Sequence, residues 1–120
     1  MMRRVVIESP FRATETYSAA QFAAYLDACL SDAINRGEAP FASHAIYPRV
    51  LNDANPVDRH QGIAMGLEWG SAADLVAVYS DFGVSEGMDE AIRFYASRNV
   101  PVEWRRIDQQ AFDRIRKLRE

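Results

Sequence analysis

Cysteine is nearly absent from this chain: Cys29 is the single one among 120 residues. A lone thiol allows no internal disulfide and no four-cysteine zinc site within one chain. Its place on the apolar side of an expected helix reads as a small buried hydrophobe. Long hydrophobic runs are missing as well. No stretch approaches the roughly 20 apolar residues that span a bilayer. Glu8 and Pro10 interrupt the first apolar run too early for a signal-peptide core. A cytoplasmic protein without membrane attachment is the expectation. Excess positive charge is lacking too, since 14 Lys and Arg face 17 Asp and Glu for a formal net charge of −3. That balance argues against a surface built for DNA or RNA, so no nucleic-acid polymer is expected as a partner. The one basic cluster, Arg114, Arg116, Lys117 and Arg119, reads as a solvated helix end with cations set against the dipole.

The common chemical signatures are also missing. The sequence holds no G-x-G-x-x-G, no Walker A loop, no G-x-S-x-G elbow and no H-E-x-x-H. Its two histidines, His44 and His60, are too far apart in sequence to make a metal site by spacing. No repeat, low-complexity tract or linker divides the chain, so residues 1–120 read as one domain.

What is present is an ordinary globular composition, 48% hydrophobic and 26% charged, with a clear alternation of strands and helices. Residues 3–8 (RRVVIE) form a β-branched run closed by Ser9-Pro10. Ser18 and Gln21 have capping-box spacing ahead of a helix to Arg36, with Phe22, Leu26, Cys29, Leu30 and Ala33 on one face. Gly37 stops it. A short strand is expected at 39–43, weakened by Pro40, and a turn or short helix around Pro48. Asn55-Pro56 starts the next helix, with Ile63, Ala64 and Leu67 inward and an end near Gly70. The apolar run 74–79 (DLVAVY) reads as the central strand. A helix from Ser85 to Ser97 follows, burying Met88, Ala91, Ile92 and Tyr95. Strand 101–106 and a helix capped by Asp108 complete the chain, the latter facing the core with Ala111, Ile115 and Leu118.

Such alternation implies right-handed crossovers and a short, mostly parallel sheet of four or five strands, covered on both faces. Ligands of such sheets bind beyond the carboxyl ends of the strands. Three loops lie there: 8–16, 44–55 and 80–88. The first carries Glu8, Ser9, Pro10, Phe11 and Arg12, which can offer backbone N–H groups and an aromatic wall, or simply plug the core with Phe11. The third, SDFGVSEGMDE, sets Gly83, Ser85, Gly87 and Met88 at a helix start whose free amides favour an anion. Ordinary capping by Ser85, with Glu86 and Asp89 set against the dipole, accounts for the same pattern. His44 follows the second strand at the same edge.

The run from Ser9-Pro10-Phe11 through Ala73-Asp74-Leu75-Val76-Ala77-Val78 to Ser85-Glu86-Gly87-Met88-Asp89-Glu90-Ala91-Ile92 resembles the nucleoside 2-deoxyribosyltransferase-like superfamily. It is most similar to small uncharacterised bacterial and phage members, in which stretches like 37–44 and 66–70 recur. The likeness covers roughly residues 5–106. It implies a three-layer flavodoxin-like (Rossmann-like) domain with a pocket for a nucleoside or nucleotide above the sheet. It further implies N-glycosidic bond transfer or hydrolysis through a carboxylate nucleophile, without metal or organic cofactor. Carried over by position, Asp89 stands at or beside the nucleophile, with Glu90 adjacent, and Asp74 or Asp81 serves as acid or orienting group. Ser9, Pro10, Phe11, His44, Gly83, Ser85, Gly87 and Met88 would border the substrate. A homo-oligomer is implied too, because relatives share pockets between subunits. The alternatives are a module that binds or sequesters a nucleotide-like ligand without chemistry, and an assembly protein that keeps only the fold and uses Trp69 or Trp104 as contacts.

Overall fold

The computed structural model describes residues 1–118; Arg119, the last member of the basic cluster, lies outside them. The elements alternate as expected. In chain order they are β1 (Arg4–Glu8), α1 (Ala19–Asn35), β2 (Ala39–Phe41), α2 (Pro56–Ala72), β3 (Leu75–Tyr79), α3 (Glu86–Ser97), β4 (Val102–Arg105) and α4 (Gln109–Arg116). Two single 3-10 turns, Ser43–Ala45 and Tyr47–Arg49, fill the connection from β2 to α2.

Each helix starts where a side chain satisfies its free amides. Ser18 and Gln21 close the capping box of α1 reciprocally, the Ser18 hydroxyl accepting from the Gln21 amide and the Gln21 side chain accepting from the Ser18 amide. Asn55 accepts from the Val57 and Asp58 amides ahead of α2, with Pro56 at its first position. Ser85 and Asp108 cap α3 and α4. Gly37 takes a φ of 81° just beyond α1, a conformation that glycine adopts at no steric cost.

The sheet has four strands in the order β2-β1-β3-β4, all parallel. This is the three-layer flavodoxin-like arrangement, with α1 and α4 packed on one face and α2 and α3 on the other. Pro40 is tolerated because β2 is an edge strand. The chain runs outward from β1 to β2 and then crosses back to β3. Strand order therefore reverses between β1 and β3, which places the ligand-binding crevice of such folds above their carboxyl ends.

Several side chains sit differently from the pattern. In α2 the buried residues are Gly66 and Gly70, while Ile63 and Ala64 are exposed and Leu67 is half-buried. The glycines are required by what packs on them. A Cβ at Gly70 would collide with the Tyr95 ring and hydroxyl, and one at Gly66 would crowd the Ser43 side chain. A hydrophobicity count rewards large residues and so points to the wrong stripe of this helix. Leu118 lies past the end of α4 and is exposed, and β2 ends at Phe41 because the chain turns at Ser43. Trp69 and Trp104 are 54% and 56% exposed. Among the described residues no helix is long and apolar enough to cross a membrane.

One polar network was not foreseeable from the pattern. Arg105, only 1% exposed at its side chain, donates two hydrogen bonds of 2.7 Å to Glu38, one of 2.9 Å to Glu103 and one of 3.3 Å to Tyr79. Arg3 adds a further 2.7 Å bond to Glu38. The guanidinium bonds hold the Glu38 carboxyl below the usual carboxylate range. Bonded in this way through both terminal nitrogens, with only Nε left over, the ion pair joins the residue before β2 to the last residue of β4 inside the protein.

Candidate functional site

A cavity of about 460 Å³ opens above the carboxyl ends of β1 and β3, between the 8–14 loop, the two 3-10 turns, α2 and the first turns of α3. This is the edge that the reversal of strand order nominates. Because β1 is buried on both faces up to Ile7, the next residue, Glu8, emerges onto the cavity floor.

Glu8 is the most perturbed carboxyl at this site. Burial pushes its pKa from 4.5 up to about 7, and the nearby Tyr95 hydroxyl pulls partly in the opposite direction. Tyr95 comes from the third turn of α3 and is fully buried. It reaches toward the carboxylate without closing a hydrogen bond, and its hydroxyl has no partner among the described residues. A buried, unpaired hydroxyl is costly unless something else uses it. Here it borders the same cavity as Glu8.

Ser9 and His44 form a second pair on the wall. The Ser9 hydroxyl lies 2.8 Å from His44 Nε2, and the tautomer of the ring decides which of them donates. Burial drives the His44 pKa down to about 4, so its imidazole is neutral near pH 7. Phe11 meets the ring edge-on, its centroid 6.2 Å away. At the rim, Asp53 joins Arg12 from the first loop, at 2.8 Å, to Arg59 of α2, at 3.3 Å. Tyr47 accepts a hydrogen bond from the Trp69 indole at 2.9 Å and lines the wall. The start of α3 supplies Ser85, Glu86, Gly87, Met88 and Glu90, with the Ser85 hydroxyl committed to the Met88 amide. No three His, Cys, Asp or Glu side chains among the described residues are grouped to hold a metal ion.

The structure therefore brings together Ser9, Pro10, Phe11, His44, Ser85, Gly87, Met88 and Glu90 from the residues nominated by sequence. Four others do not line the cavity. Asp74 stands at the opposite end of β3, where it accepts from the Arg4 backbone and side chain. Asp81 faces the α1 side, accepting from the Tyr25 hydroxyl at 2.6 Å and from the Ile107 amide at 3.1 Å. Asp89 is 56% exposed and paired with Arg93 one turn along α3. Helical geometry separates it from Glu90 by about 100° around the axis, so adjacent acids look in different directions. Gly83 has a φ of 84° and closes a turn through its amide onto Ser80, a backbone role.

Sequence reasoning named Glu8 and Arg12 only as loop members, took in Tyr47 only within the 44–55 loop, and did not connect Arg59 or Tyr95 with the site. For Glu8 a signal did exist: an acid that ends a fully buried β-branched strand falls at the carboxyl edge of a parallel sheet. For Tyr95 the helical spacing from Met88 pointed to the core, as observed, but could not reveal that the hydroxyl meets a cavity.

Fold and cavity together define a doubly wound, all-parallel α/β protein with a ligand-sized pocket at its strand switch point. More particularly, the chain belongs to the family described as Domain of unknown function (DUF7768), whose profile matches residues 3–105. That span takes in every strand and all of the cavity lining. No curated protein matches the chain.

Proposed function

We propose that the cavity binds a nucleoside or nucleotide and that the protein cleaves or transfers its N-glycosidic bond, with the Glu90 carboxylate as nucleophile. The observation that carries this reading is the position of Glu90. It is an acid on the cavity wall, in the second turn of α3, facing a loop that offers Ser9, His44 and Phe11. The cavity volume is within the roughly 300–1,000 Å³ typical of small-ligand sites. Phe11 and Tyr47 give flat apolar surface for a base, and the Arg12–Asp53–Arg59 rim gives polar contacts for a sugar or its substituents. The resemblance to deoxyribosyltransferase-like proteins adds to this reading and supplies the chemistry, an attack by carboxylate on an anomeric carbon. Of the two acids expected as nucleophile, Asp89 or Glu90, this reading takes Glu90.

The test is release of free base, followed by chromatography, from deoxynucleosides and their monophosphates. Turnover by the wild type that falls to background in Glu90→Gln is the expected result. A protein that binds these compounds yet releases no base leaves a second reading in force, that of a binding or sequestering module. The exposed, Arg93-paired position of Asp89 favours that second reading, since the acid best matched to the resemblance does not reach the cavity.

A further inference from the structure

Glu8 stands apart from every other acid at the cavity. Glu86 and Glu90 are exposed on the first turns of α3, and Asp53 is bound to Arg12 and Arg59. Glu8 is instead half-buried at the end of a buried strand, where it lines the cavity. The one hydroxyl beside it is that of Tyr95, which favours the charged carboxylate yet is buried without closing a hydrogen bond among the described residues. A carboxyl on the cavity floor, beside a buried hydroxyl that closes no hydrogen bond, marks a place where a ligand completes the hydrogen bonding.

We propose that Glu8 is the proton donor to the departing base, with Tyr95, whose hydroxyl stands beside that carboxyl, as the positioning residue. The assignment rests on the glycosidic reading given above. In the first step a Glu90 carboxylate oxygen bonds to the anomeric carbon while the carbon–nitrogen bond breaks. The electron pair of that bond goes to the base nitrogen, and the Glu8 proton goes to the base, which leaves neutral. In the second step water attacks the anomeric carbon, the ester bond to Glu90 breaks, and the proton released by water returns to Glu8. Atoms and charge balance over the cycle, and Glu8 ends as it began.

The environment suits this cycle. Burial favours the neutral acid before the reaction, which keeps a transferable proton on Glu8 near pH 7. The other titratable groups on the cavity are His44 and Tyr47 from the turns, Tyr95, Glu86 and Glu90 from α3, and the Arg12–Asp53–Arg59 rim with Asp58. Of these, burial pushes His44 down to about 4 and Tyr95 up, so neither exchanges a proton near neutrality. Asp74 and Asp81, the other candidates for this role, lie off the cavity.

Leaving-group dependence separates this role from that of Glu90. Two substrates serve: an ordinary deoxynucleoside and its N7-methylated purine counterpart, whose base is already cationic and departs without a proton. Glu8→Gln keeps the shape and neutrality of the acid. It is expected to lower kcat/KM on the ordinary substrate by at least about 100-fold while changing the methylated one by less than about 10-fold. Glu90→Gln is expected to lose both. On the ordinary substrate, wild-type kcat/KM should fall as pH rises through about 7. Tyr95→Phe should move that limb to higher pH, because the tyrosine favours the charged form of Glu8. Equal losses on both substrates in Glu8→Gln, or no loss on either, overturn the assignment while leaving the glycosidic reading in place. A wild type inert on both substrates overturns the glycosidic reading and the assignment with it.

Discussion

The two faces of the sheet are built for different purposes. On the α1 and α4 side the core is continuous, from Val5, Ile7 and Tyr79 to Tyr25, Leu26, Cys29 and Ile115, and Tyr25, Tyr79 and Arg105 each bond to a carboxylate, with only the Arg105 Nε left over among the described residues. Phe82 sits among Tyr17, Phe22, Tyr25 and Phe112, with ring centroids 4.7 to 5.5 Å away. On the α2 and α3 side the buried cluster is smaller, α2 buries only glycines, and the cavity opens at its upper end. There the polar groups are strained in protonation or unpaired: Glu8, His44 and Tyr95. Dense packing on one side lets the other hold a site that is unfavourable for folding, a division that stability measurements can expose.

The largest effect is expected on the closed side. Asp81 satisfies the buried Tyr25 hydroxyl and the Ile107 amide at once. Asp81→Ala leaves both without an acceptor, and each buried orphan costs about 1–3 kcal/mol, so the loss should be roughly 2–6 kcal/mol. Urea denaturation measures it through a lower midpoint at unchanged slope. If Asp81 is structural, the folded fraction of the variant should keep its ligand binding. A stable Asp81→Ala protein that has lost binding would reverse the roles given to the two faces.

On the open side, pH is the probe. The Glu8 pKa is raised from 4.5 to about 7 in the folded protein, so its contribution to stability is full below pH 4.5 and is lost as pH rises through 7. The His44 pKa is lowered from 6.5 to about 4, so its contribution is full above pH 6.5 and is lost as pH falls through 4. Between pH 4.5 and 6.5 the two slopes oppose each other. Each corresponds to a total change of about 3 kcal/mol across its own range, an order-of-magnitude figure. Glu8→Gln should therefore become more stable as pH rises across this window, and His44→Gln less stable. Denaturation midpoints at the two ends of the window check the signs. Parallel behaviour of both variants would mean that neither group is buried as the geometry indicates.

Legibility in the sequence followed the same division. Caps and strand order come from local chemistry, and Ser18 with Gln21, Asn55 with Pro56, and the alternation of apolar runs stood in plain view. The site was half legible. Ser9, Phe11, His44 and Ser85 were nominated because loops after parallel strands converge at one edge, and Glu90 through the family resemblance. The direction of a side chain around a helix axis was harder to read. Within α3, Asp89 and Glu90 are chemically alike and adjacent, and only the packing of Met88 and Tyr95 against the sheet fixes which of them meets the cavity. Gly66 and Gly70 were missed for a related reason. Their importance belongs to Ser43 and Tyr95, which are distant in sequence.

The smallest effect separates those two neighbours. Asp89 is solvent-facing, and its pair with Arg93 has the i,i+4 geometry that contributes about 0.2–0.5 kcal/mol on a helix surface. Its place in the first turn of α3 adds a dipole interaction of similar size, about 0.3–1 kcal/mol. Asp89→Asn should thus lower stability by at most about 1.5 kcal/mol and leave base release or ligand affinity unchanged, whereas Glu90→Gln loses turnover at nearly constant stability. Side-by-side kinetics and melting curves of the two variants decide the matter. If Asp89→Asn is the inactive one, α3 must turn by about 100° when a ligand enters, because no smaller motion exchanges consecutive helical positions. The cavity described here would then be a resting form rather than the reacting one.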